Sequence, residues 1–73
     1  MFELLNTLYV LTPGASLHLD HDAVRVVVDG ETQLRAPLVR LDSLALFGPV
    51  SVSPWLIHRC ADDGRAITFM SSG

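Results

Sequence analysis

One stretch, AVRVVVDGETQLRAP, limits the fold more than any other part of this chain. Val24, Val26 and Val28 alternate with Arg25 and Val27, the period-two pattern of a strand with one buried face. Asp29-Gly30 follows, the dipeptide that favours the left-handed backbone of a tight hairpin turn. Thr32 to Ala36 returns with Leu34 and Ala36 inward, and Pro37 ends the pairing because it has no amide to donate. Upstream, Ser16 to Asp20 alternates in the same way, with Leu17 and Leu19 on one side and Ser16, His18 and Asp20 on the other. The middle of the chain is therefore a β-meander. Before it, Thr7 to Leu11 is a strand stopped by Pro13-Gly14.

The last third predicts a different unit. Ser43 to Phe47 is apolar on both faces, and Gly48-Pro49 breaks it, with Val50 to Val52 expected to continue in the same direction. Ser53-Pro54 is a helix start, Ser as the cap and Pro at the first helical position. The helix runs from about Pro54 to Asp62, with Leu56, Ile57, Cys60 and Ala61 as its buried stripe. Gly64 ends it, and Ala66 to Met70 is a final strand with Ile67 and Phe69 on one face. Apolar strands around a helix imply a parallel pair joined by a crossover. The expected fold is α+β, mostly β: a small meander sheet plus one helix in a strand–helix–strand unit. The helix would cover one face, leaving Val27, Ala45, Phe47 and Met70 on the other.

At 73 residues the chain is one domain at most. A domain of this size buries only about 60% of its unfolded surface. Yet 49% of the residues are hydrophobic, so part of this apolar mass is expected to face a partner. Five arginines, no lysine and eight acids give a net charge of −3, which argues against an autonomous nucleic-acid binder. A single cysteine, Cys60, cannot form an internal disulfide and fits a reducing cytoplasm. The start, MFELLNTLYVLT, lacks a basic n-region and a small-residue cleavage site. No apolar run approaches the roughly 20 residues of a membrane span.

Motifs for catalysis are missing. There is no phosphate loop, GxSxG elbow, CxxC or HExxH. HLDHD, His18 to Asp22, gathers two His and two Asp, but along a strand and its turn these fan outward, as a polar hairpin tip does. Cys60 and His58 lie two apart on a helix, on nearly opposite sides, so Cys60 reads as a buried structural thiol. His58, Arg59 and Arg65 form a small basic group suited either to phosphates or to a solvated face beside Asp62 and Asp63. Trp55 serves either as a partner-facing anchor or as core. Tyr9 is expected in the core rather than stacked on a base.

Three pieces in order, LLNTLYVLTPGASLHLD, then AVRVVVDGETQLRAPL, then LDSLALFGPVSVSPWLIHRCADDGRAITFMSSG, carry a resemblance over nearly the whole chain. They resemble the N-terminal β domain of the CRISPR-associated spacer-acquisition endonuclease/integrase family (Cas protein one), its type I-C branch in particular. The resemblance implies a fragment of a larger two-domain protein, with a helical catalytic domain beyond Gly73. It implies a metal-dependent reaction in which a DNA 3′-hydroxyl attacks a phosphodiester, with Mg²⁺ or Mn²⁺. The metal ligands, a Glu, a His and an Asp, belong to that helical domain, so no catalytic or metal residue is carried over and this fragment alone holds no cofactor.

The implied partners are a second copy, protospacer and repeat DNA, and the second CRISPR adaptation protein, with no membrane. Val27, Phe47, Trp55 and Met70 are the expected dimer interface, and His58, Arg59 and Arg65 the expected DNA contacts. Two positions depart from the family pattern. Ser51 stands where a basic residue is wanted, and Thr12 where some members carry an aromatic wedge. Two other functions are compatible with the same residues: a self-standing dimerisation or adaptor module, and, less well supported by the spacings, a small hydrolase using HLDHD or Cys60.

Overall fold

The computed structural model describes residues 2–4 and 6–70, with side chains from residue 6 onward. Met1, Leu5 and residues 71–73 of the quoted motifs lie outside the described residues. Among the described residues, eight strands form two four-stranded sheets. They are β1 (Phe2–Leu4), β2 (Thr7–Val10), β3 (Ser16–Asp20), β4 (Ala23–Val28), β5 (Glu31–Pro37), β6 (Ser43–Phe47), β7 (Ser51–Val52) and β8 (Ala66–Met70). One 3₁₀ turn, Leu38–Arg40, precedes β6, and helix α1 (Pro54–Asp63) lies between β7 and β8. The first sheet has the order β1-β2-β6-β8 and the second β5-β4-β3-β7.

The second sheet contains the meander. β3 pairs antiparallel with β4, and β4 with β5. Asp29 and Gly30 both take positive φ, 53° and 78°, which gives the turn the twist a two-residue hairpin needs. The register then shifts between Val26 and Val27: Val27 faces Thr32, but Val26 faces Leu34. Gln33 is the extra residue of a bulge. Without it Leu34 would stand opposite Arg25 and turn outward. With it, Leu34 and Ala36 fall opposite Val26 and Val24 on the core side.

The first sheet is held by parallel pairs, β2 with β6 and β6 with β8. The parallel β6–β8 pair matches the expectation, with β7 and α1 in the connection. Two features differ. Phe2–Leu4 is a strand antiparallel to β2, in a segment not expected to form one. And β7 does not continue β6. At Gly48 (φ 77°) the chain turns away, and β7 pairs in parallel with β3 of the other sheet, Ser51 with Ser16 and Val52 with Leu17. The strand–helix–strand unit therefore straddles both sheets.

The inner faces share one core. Leu8, Val10, Leu44 and Leu46 come from the first sheet, Leu17, Val24, Val26 and Ala36 from the second, and Leu56 and Cys60 from the helix. Helix α1 contacts β3 of one sheet and β8 of the other. Pro54 occupies its first turn, and Ser53 caps it through the backbone: its carbonyl accepts from the amides of Leu56 and Ile57, with no side-chain capping bond. Gly64 closes the helix in the left-handed conformation, φ 73°, and the Arg65 amide donates to the Cys60 carbonyl at 2.8 Å, as a C-terminal glycine cap does. The buried stripe is narrower than expected. Leu56 and Cys60 are buried, but Ile57 is 43% exposed and Ala61 is exposed, because the helix meets the core along a single i, i+4 seam.

Candidate functional site

Strand alternation sorts the surface into two outward faces of different chemistry. On the first sheet, register places Tyr9, Ala45 and Thr68 in one row and Phe47 beside Met70 in the next. Thr7 and Ser43 share the same face, joined by a 2.8 Å hydroxyl–hydroxyl bond. Register also sets Glu3 of β1 opposite Tyr9, at the edge of this row. Tyr9, Phe47 and Met70 are each half-buried. The expected dimer residues thus separate. Phe47 and Met70 adjoin on this face, but Val27 lies on the other sheet between Ser16 and Thr32. A single uncovered face holding Val27, Ala45, Phe47 and Met70 is therefore corrected to two faces, because the strands divide into two sheets. Trp55 stands 75% exposed in the first turn of α1, and Phe69 at the end of β8 is also exposed.

The helix-borne basic residues have other engagements. Arg59 donates from Nε to Asp63 at 2.9 Å and from a terminal nitrogen to Asp22 at 2.9 Å. Arg65 donates from Nε to the Leu41 carbonyl at 2.8 Å and the Leu38 carbonyl at 3.1 Å, and pairs with Asp63 as well. Asp22, Leu38, Arg59, Asp63 and Arg65 line a cavity of about 560 Å³ between the β3–β4 turn, the 3₁₀ turn and the helix end. Two guanidiniums meet two carboxylates here. The Arg59 hydrogen bond, then the charges of Arg59 and Arg65, hold the Asp63 carboxyl below the usual carboxylate range. Asp22 and then Asp63 raise the Arg59 guanidinium further. This cluster ties the helix end to the meander. His58, by contrast, is exposed.

The outward face of the second sheet holds residues that sequence reasoning did not assemble. His18, Arg25 and Arg35 form one transverse row across β3, β4 and β5. The Gln33 bulge puts Arg35 opposite Arg25, and its position was the missing signal. Asp20, one row along, pairs with Arg35, lies 3.9 Å from Arg25 Nε, and accepts from His21 Nδ1 at 2.9 Å. The His21 bond, with Arg35 and Arg25 beyond it, holds the Asp20 carboxyl low, against the opposing effect of burial. His18 Nε2 lies 3.1 Å from Ser16 Oγ on the same strand. Thus HLDHD is an ion-paired hairpin end. Among the described residues, no three His, Cys, Asp or Glu side chains converge as a metal site would require. Burial pushes the Cys60 thiol up, away from the thiolate that a nucleophile needs. No helix of the described residues is long and apolar enough to cross a membrane.

Comparison with known proteins agrees with this fold. The family model of CRISPR associated protein Cas1 matches residues 8–73. The CRISPR-associated endonuclease Cas1 1 of Moorella thermoacetica is 46% identical over 69 residues, 94% of this chain and 20% of that protein. The protein of the same name from Chlorobaculum tepidum is 40% identical over 67 residues, 92% of this chain and again 20% of the relative. The chain thus spans about a fifth of the length of these curated relatives. A solved CAS1 protein from Thermotoga maritima superposes with a TM-score of 0.74 over 97% of this chain and 22% of that one, at 15% identity, which supports the fold. On the family match and these identities, the chain belongs to the CRISPR-associated protein Cas1 family.

Proposed function

We propose that this chain is the N-terminal β domain of a CRISPR-associated, metal-dependent DNA endonuclease/integrase that inserts spacers into CRISPR arrays. It holds DNA in place and joins two copies of the protein, while a helical domain performs the chemistry. The observation that carries this is the match of almost the whole chain to about a fifth of relatives named CRISPR-associated endonucleases. The residues here suit a positioning role. Cys60 is buried, and the carboxylates at both clusters are held by arginines. By its likeness to this family, the Mg²⁺ or Mn²⁺ that such a reaction uses is held by the helical domain. The second copy docks on the outward face of the first sheet, around Tyr9, Phe47 and Met70, where apolar area is available.

The test compares the full-length protein with residues 1–73 on duplex and branched DNA, with Mg²⁺ or Mn²⁺ present. The full-length protein is expected to cut or join DNA strands and the 73-residue chain to do neither. Metal-dependent cleavage by the short chain, or an inert full-length protein, overturns the proposal.

A further inference from the structure

The protein has two arginine clusters, and their charge balance differs. At the helix end, Arg59 and Arg65 face Asp22 and Asp63, and Arg65 also spends its Nε on two backbone carbonyls. That cluster is neutral, and both of its Nε donors are taken. On the outward face of the second sheet, Arg25 and Arg35 share one carboxylate, Asp20. That leaves one surplus positive charge, with His18 in the same row.

The donors there are also less committed. Arg25 Nε is buried, with no hydrogen-bond partner among the described residues. Its terminal nitrogen reaches only Thr32 Oγ1, at 3.5 Å. The Arg35 side chain is 59% exposed and that of Arg25 39%. Neighbouring strands lie about 4.8 Å apart, so the row His18–Arg25–Arg35 extends roughly 10 Å across a flat face. The flanking row, Ser16, Val27 and Thr32, adds two hydroxyls and no charge.

We propose that this row, and not the ion-paired Arg59 and Arg65 at the helix end, is where the domain grips the phosphodiester backbone of DNA. The proposal rests on the DNA-positioning function above and assigns its contact surface. A guanidinium offers planar, paired donors that match phosphate oxygens. In the unbound protein Asp20 holds that place. Neighbouring backbone phosphates, one at Arg25 and one at Arg35, take over their free donors and leave Asp20 to His21. The contact reads no bases, since donors aimed at phosphate carry no sequence information. It also lies on a different sheet from Phe47 and Met70, so one domain can hold DNA and a second copy at once.

The experiment measures binding of a short fluorescent DNA duplex to the full-length protein over a series of salt concentrations. Arg25→Gln/Arg35→Gln is expected to weaken binding roughly tenfold or more and to lower the slope of log K against log salt by about two. Arg25→Lys/Arg35→Lys should restore most of that slope. Asp20→Asn, which removes the competing carboxylate, should tighten binding, an effect that a merely structural role for Asp20 would not produce. If the double Gln variant fails to fold by circular dichroism, the more exposed Arg35→Gln alone should lower the slope by about one. Binding by the wild-type protein with an unchanged slope in the variants overturns this inference and leaves the DNA-positioning function standing. A wild-type protein without salt-dependent DNA binding overturns both.

Discussion

Replacing Leu56 by Ala should cost far more than replacing Ile57 by Ala, although the two residues are adjacent and of equal size. Leu56 is fully buried and belongs to the core cluster that joins the two sheets. Truncation removes three buried carbons and leaves a cavity that the sheets cannot fully close, a cost of about 3 kcal/mol. Ile57 is 43% exposed, so its truncation should cost under ~1.5 kcal/mol. A chain of 73 residues has a total stability of only about 4–11 kcal/mol, so the Leu56 change removes a large share of it. For a domain of this size it corresponds to a fall in Tm of roughly 12–24 °C. Urea unfolding followed by far-ultraviolet circular dichroism gives both values from the midpoint and slope. Equal losses at the two positions would refute the single-seam docking of the helix. They would mean that the broader stripe expected from the sequence, with Ile57 and Ala61 included, is the true contact.

Three further outcomes follow from specific groups. Asp63 has a folded pKa below its unfolded value of about 3.9, so it adds stability above that pH and loses it as pH falls through the folded value. Acid unfolding of Asp63→Asn should therefore lack that part of the decline below about pH 4 that the wild type shows; identical acid profiles would contradict the pairing with Arg59 and Arg65. Gly64→Ala should cost about 1 kcal/mol, measured by urea midpoint, because φ 73° is strained for any residue with a Cβ; a neutral or stabilising change would argue against the left-handed cap. Phe47→Glu should lower the sedimenting mass of the full-length protein from dimer toward monomer, whereas Val27→Glu, on the other sheet, should not; the reverse pattern would move the interface.

The meander was legible because its signals are local. Asp29-Gly30 can adopt the turn, and the Val24–Val28 alternation fixes which side is buried. The helix was legible from Ser53-Pro54 and Gly64 for the same reason. The switch of β7 into the second sheet was not, since two residues pairing in parallel with β3 leave no periodicity to detect. Its only trace was the Gly48-Pro49 break, which marks a turn without giving its direction. The division into two sheets, where one was expected, separates Val27 from Phe47 and Met70. The Arg25–Arg35 row depends on Gln33 being the bulged residue. The sequence holds the reason for it, the need to hide Leu34, but that need becomes visible only once the other sheet provides the core. Likewise Arg59 and Arg65 looked available for phosphate because Asp22 and the Leu38 and Leu41 carbonyls, far away in sequence, could not be placed beside them.

The most direct test of the central claim is the mass of the native protein that carries these residues, captured from source cells with an antibody raised against residues 1–73. The curated relatives share only about a fifth of their length with this chain. A native product about five times heavier than 8.0 kDa is the predicted result and makes this chain the β domain of a Cas1 endonuclease. A native product of 8.0 kDa would contradict the account and leave a self-standing dimerisation module in its place.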